Sequence, residues 1–77
     1  MAPKRVQKAY ELWKTHVVHN GPEVLRTLPG YHDEALSGAW QGWRASRLNR
    51  QYRVIYSVER DELFVRVERI TPHDYRR

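Results

Sequence analysis

Three kinds of residue in the second half of the chain could together cleave an RNA strand. Cleavage without a metal needs a base to take the 2′-hydroxyl proton, cations to hold the charged phosphorane, and an acid to protonate the departing 5′-oxygen. Glu34 and His32, in a polar loop bounded by glycines, are the candidates for the base. Arg47 and Arg53 are the candidate cations, and His73, near the end of the chain, is the candidate acid. Taken singly each has an ordinary explanation. Charged loop residues are usually just solvated, and a histidine after a strand can simply end it.

The weight falls on Gly42–Val58, where arginines sit in what reads as a hairpin. Strands are expected at Trp43–Leu48, Tyr52–Val58 and Leu63–Ile70, all rich in Val, Ile, Tyr and Phe, joined by turns at 49–51 and 59–62. A three-residue first turn sets Arg47 opposite Arg53 and Ala45 opposite Ile55. A four-residue second turn sets Ile55 opposite Arg66 and Arg53 opposite Glu68. Because side chains alternate, Leu48, Val54, Tyr56, Val58, Leu63, Val65 and Val67 should form a core face. Arg47, Arg53, Arg66 and Glu68 should surround Ile55 and Phe64 on the other. Like charges facing each other cost stability, so an arginine pair suits a phosphate that takes two guanidinium forks. A register shifted by one would separate the pair and leave only ordinary edge solubility. Tyr31, Trp40, Trp43 and Tyr75 could stack on bases, with Trp43 expected in the core and Trp40 open to either role.

Ahead of the sheet, Val6, Ala9, Tyr10, Trp13 and Val17 recur at three- and four-residue steps, which predicts an amphipathic helix from Pro3 to about His16. The run Asn20-Gly21-Pro22-Glu23 ends it and starts a short second helix, Pro22–Leu28, which Leu28-Pro29-Gly30 stops. The expected fold is α+β: two N-terminal helices packed on an antiparallel sheet of three or four strands, one domain over residues 1–77.

Composition narrows the class. Fourteen Lys and Arg against nine acidic residues give a formal net charge of +5, and the pI is near 10.0, a balance that favours polyanions, nucleic acid first. There is no cysteine, and the four histidines lack zinc-ligand spacing, so no metal or other cofactor is expected. Neither a signal peptide nor a membrane span is apparent, and a cytoplasmic location is expected.

Three groups of residues, Glu34-Ala35-Leu36-Ser37-Gly38, Trp43-Arg44-Ala45-Ser46-Arg47-Leu48-Asn49 with Arg53-Val54-Ile55-Tyr56, and His73-Asp74-Tyr75, resemble the RelE/YoeB superfamily of type II toxins, including its YafQ and HigB branches. The likeness covers about Gly30–Tyr75. It implies a RelE-like fold and a ribosome-dependent mRNA interferase that enters the 30S A site against ribosomal RNA, cuts the mRNA there and is neutralised by a cognate antitoxin. On this resemblance Glu34 matches the general base, Arg53 the transition-state arginine, His73 the acid and Tyr75 the terminal tyrosine. Arg47 stands where YoeB-like members also carry arginine. His32, Arg44, Arg50, Arg66, Arg76 and Arg77 are the candidate RNA contacts. The chain departs from the family in lacking room for a strand before the first helix, in Asp74 between His73 and Tyr75, and in Gln51 where YafQ-like members have aspartate. Two other readings share parts of this pattern: a ParE-like gyrase poison on the same fold, and an RNA-binding module without catalysis.

Overall fold

The computed structural model describes residues 3–70. Its organising contact is between the helix and the sheet. Helix α1, Lys4–Asn20, turns Val6, Trp13 and Val17 inward and buries all three. The Trp13 ring meets Tyr56 of the sheet edge-on at 5.3 Å between centroids, and Tyr10 stacks on Trp13 at 5.8 Å. Leu25 and Val54 complete this core, with Leu48, Leu63 and Val65 packed at its margin.

The helix runs one turn beyond the expected end at His16 and stops where the chain can no longer continue it. Gly21 has φ 82°, which its missing side chain permits, and its N–H donates to the Val17 carbonyl at 2.8 Å. The expected second α-helix is not formed. Residues Pro22–Thr27 make a six-residue 3-10 helix, with N–H groups bonding three residues back, Val24 to Gly21 and Leu28 to Leu25. Two prolines leave too few residues for α-helical bonding, and Leu28, just before Pro29, is held extended at φ −109°, ψ 94°. The short element still delivers one fully buried side chain, Leu25.

The sheet has four antiparallel strands in the order β1-β2-β3-β4: Glu34–Ala35, Arg44–Arg47, Tyr52–Glu59 and Glu62–Arg69. The expected polar loop thus contains a two-residue strand, β1, which pairs Glu34 with Ala45. The expected register holds throughout: Arg47 faces Arg53, Ala45 faces Ile55, Ile55 faces Arg66 and Arg53 faces Glu68. Asn49 pins the first turn, its Oδ1 accepting from the N–H groups of Gln51 and Tyr52 at 2.8 Å each.

The second turn is tighter than expected. Glu59 and Glu62 also pair, leaving only Arg60 and Asp61 in the loop, with φ 50° and 67°. Two positive φ values are the mark of a type I′ hairpin turn, whose twist matches that of its strands.

Burial corrects the two-face picture in both directions. Ile55 and Ala45, on the arginine side, are buried, whereas Val58 and Val67, expected in the core, are 46% and 37% exposed. Both layers of β2–β3 are therefore filled, and apolar surface is left over at β4. No helix among the described residues is long and apolar enough to cross a membrane.

Candidate functional site

Strand pairing assembles one face of the sheet from residues that are far apart in the chain. Across it runs the row Glu34, Ala45, Ile55, Arg66, and two residues further along lies the row Arg47, Arg53, Glu68. Strand spacing and rise put the Glu34 and Arg47 backbones roughly 8 Å apart, within reach of the two side chains. The buried pair Ala45 and Ile55 forms an apolar floor between the charges. Arg47 and Arg53 are half-buried and Glu34 is exposed.

Arg66 is exposed at the far side of this face. Its Nε lies 3.1 Å from Glu68 Oε2, a close ion pair without hydrogen-bond alignment, and its guanidinium stacks over the Trp40 ring at 5.5 Å. Trp40 in turn meets Trp43 edge-on at 5.7 Å. Trp40 therefore belongs to the arginine side of the sheet. Arg50 lies exposed in the β2–β3 turn, and His32 is exposed with a left-handed backbone, φ 45°, at the end of the 3-10 turn Pro29–Tyr31.

Arg44 is on the opposite face from Arg47 and is already engaged. Its Nε donates to Asp33 Oδ1 at 2.7 Å, while Ser46 Oγ and Tyr56 Oη donate to Asp33 Oδ2 at 2.7 and 2.5 Å. The Asp33 side chain is wholly buried and that of Arg44 is 26% exposed. Three donors on one buried carboxylate satisfy most of its acceptor sites. The network fixes the residue next to Glu34, and through Tyr56 it touches Trp13 of α1. Position 33 thus anchors the loop from beneath the sheet while position 34 projects from the other side.

The sequence reading passed over Asp33, although a signal was present. Arg44 and Ser46 share the parity of Leu48, so the expected register puts two polar side chains on the core face, where they require a partner. Asp33 is the acceptor that meets this need.

Burial pushes the Tyr56 hydroxyl well above its ordinary value, and its bond to Asp33 adds to the rise while Arg44 opposes it. Burial pulls Arg44 downward, but the bond and charge of Asp33 outweigh it and leave the guanidinium held more firmly protonated than usual. The Tyr56 shift has a consequence at alkaline pH. The unfolded tyrosine loses its proton near pH 10 while the folded one keeps it, so the folded state then binds more protons and stability falls as pH rises. Urea titrations between pH 9 and 11 are expected to show this fall, approaching about 1.4 kcal/mol per pH unit from this one group. The Tyr56→Phe protein should lack that component of the slope. An alkaline limb identical in both proteins would mean that other groups set it.

No protein-family model, no curated protein and no solved structure matches this chain. His73, Tyr75, Arg76 and Arg77 lie outside the described residues. The described chain ends at Ile70, whose N–H donates to the Gln51 carbonyl at 2.6 Å, at the end of the sheet that carries Arg47 and Arg53. No group of three or more His, Asp or Glu side chains among the described residues could hold a metal ion.

A concavity of about 300 Å³ borders the site on the helix side, lined by His16, Leu28, Tyr31, Arg47 and Leu48. His16 and Tyr31 meet there edge-on at 6.0 Å. Arg47 is thus shared between this cleft and the arginine face.

Proposed function

We propose that the protein is a metal-independent endoribonuclease of the RelE/YoeB kind, a toxin that cuts mRNA in the ribosomal A site and is held in check by an antitoxin. The reading rests chiefly on one observation: Arg47 directly opposite Arg53, with Glu34 one strand away on the same face. A like-charged cross-strand pair works against folding, and a phosphate between the two guanidinium forks turns that cost into binding.

In this reading Glu34 takes the proton from the 2′-hydroxyl, and the freed oxygen attacks the adjacent phosphorus. Arg47 and Arg53 stabilise the doubly charged phosphorane. His73 gives its proton to the 5′-oxygen as the P–O bond breaks, leaving a 2′,3′-cyclic phosphate and a free 5′-hydroxyl, and Tyr75 adjoins the leaving group. Arg50, Arg66, His32, Arg76 and Arg77 contact the RNA backbone. Arg44 faces the other side of the sheet, where Asp33 holds it, and is not among these contacts. Trp40, already under Arg66, offers a stacking surface for a base. The fold is then a RelE-like one in which a 3-10 helix stands in place of the second α-helix.

The test is primer extension on a defined mRNA incubated with translating ribosomes and the purified protein. Cuts within the codon in the A site, absent without ribosomes, are the expected result. Intact mRNA at every protein concentration would refute the reading, and binding to ribosomal RNA without cuts would leave an RNA-binding module instead.

A further inference from the structure

The two sides of the sheet end very differently. On one side the last strand is β1, with two residues, too short to template another strand. On the other it is β4, eight residues in continuous register with β3, containing no proline and no bulge, with no strand beyond it among the described residues. Such an edge presents a row of open backbone groups, which proteins ordinarily blunt with proline, lysine, bulges or shortness. Apolar side chains accompany it. Phe64 is 44% exposed and Val67 37% exposed, with Val58 exposed beside them and Leu63 and Val65 half-buried.

The tight turn fixes which backbone groups point outward. Glu59 and Glu62 close a two-residue hairpin and so form a hydrogen-bonded pair. Alternation along β4 then directs the N–H and C=O groups of Leu63, Val65, Val67 and Arg69 away from β3.

A second copy of the chain fits this edge. A two-fold axis perpendicular to the sheet pairs β4 with itself antiparallel and keeps the faces of the two sheets aligned, so each residue meets one of the same parity. With the axis at Phe64, Leu63 faces the partner's Val65, Phe64 faces the partner's Phe64, and Glu62 faces the partner's Arg66. Moving the axis to Val65 sets Glu62 against the partner's Glu68, and moving it to Arg66 sets two arginines together. An axis at Val67 also joins opposite charges, Arg66 with the partner's Glu68, but it sets Val65 against the partner's Arg69. The first register joins opposite charges and keeps Leu63, Phe64 and Val65 against apolar partners, so charge and apolar matching together select it. We propose that the chain forms a two-fold dimer through β4 in this register, giving a continuous eight-stranded sheet. Both arginine faces then lie on the same side of that sheet, doubling the cationic surface offered to a polyanion.

Sedimentation equilibrium over a wide concentration range tests this. The wild type is expected to shift from monomer to dimer mass as concentration rises. Val65→Pro removes one outward N–H at the centre of the contact and leaves the β3 ladder intact, so it should stay monomeric with an unchanged far-UV spectrum. Should that variant misfold, Glu62→Arg supplies an independent test: it should abolish the dimer, and adding Arg66→Glu should restore it. A wild type that is monomeric throughout overturns the proposal. A dimer that survives either folded variant places the contact on another surface and overturns it as well.

Discussion

Replacing Asp33 with alanine is expected to leave most of the protein unfolded at room temperature. The substitution takes one carboxylate from Arg44, Ser46 and Tyr56 at once. Losing one charge-assisted and two neutral hydrogen bonds to a buried carboxylate costs about 3–5 kcal/mol, most of it from Ser46 and Tyr56, which stay buried without an acceptor, while Arg44, 26% exposed, regains part of its hydration. A single core in a chain of this size supplies only about 3–5 kcal/mol in total, so the loss is comparable to the whole stability. Asp33→Asn, which keeps the shape and one acceptor, should fall between alanine and wild type. Urea unfolding followed by far-UV circular dichroism reads all three. A wild-type midpoint for Asp33→Ala would mean that the buried cluster contributes little and that the loop is held by other contacts.

The second large effect belongs to Arg53 and concerns rate. Arg53→Ala should lower ribosome-dependent cleavage by about 10²–10³-fold, the usual consequence of losing one donor aimed at developing charge. Its stability should move by less than about 1 kcal/mol, since relief from Arg47 offsets the lost attraction to Glu68. Arg53→Lys keeps the charge but not the two-pronged donor geometry, and it should stay well below wild type. Rate and stability must be measured on the same preparations. Full cleavage by a folded Arg53→Ala protein would remove Arg53 from the mechanism and with it the main reason for this reading.

The sheet was more legible in the sequence than the helices. Strand alternation and turn residues were enough to set Arg47 opposite Arg53 and Arg66 opposite Ile55, because a one-residue slip would have thrown Val54, Tyr56 and Val65 out of the core. The second helix failed for a local reason: Pro22 and Pro29 bracket a segment that helical periodicity alone cannot distinguish from a 3-10 turn. The exposure of Val58 and Val67 was invisible because alternation tells which face a residue occupies, and not whether the helix reaches far enough to cover it. Asp33 was hidden by the opposite problem. An acidic residue in a glycine-bounded loop looks solvated, and only long-range pairing with Arg44 and Tyr56, eleven and twenty-three positions away, shows otherwise.

Asp33 and Glu34 are chemically similar neighbours, yet the sheet sends them to opposite sides. A screen that scores every substitution by growth arrest alone would rate both positions intolerant and would make them look like one acidic motif. Scored for protein abundance as well, they should separate: variants at 33 lost from the cell, variants at 34 present and harmless. On the proposed function, a Glu34 variant that accumulates intact is the form in which complexes with an antitoxin or with ribosomes would be purified without arresting the host.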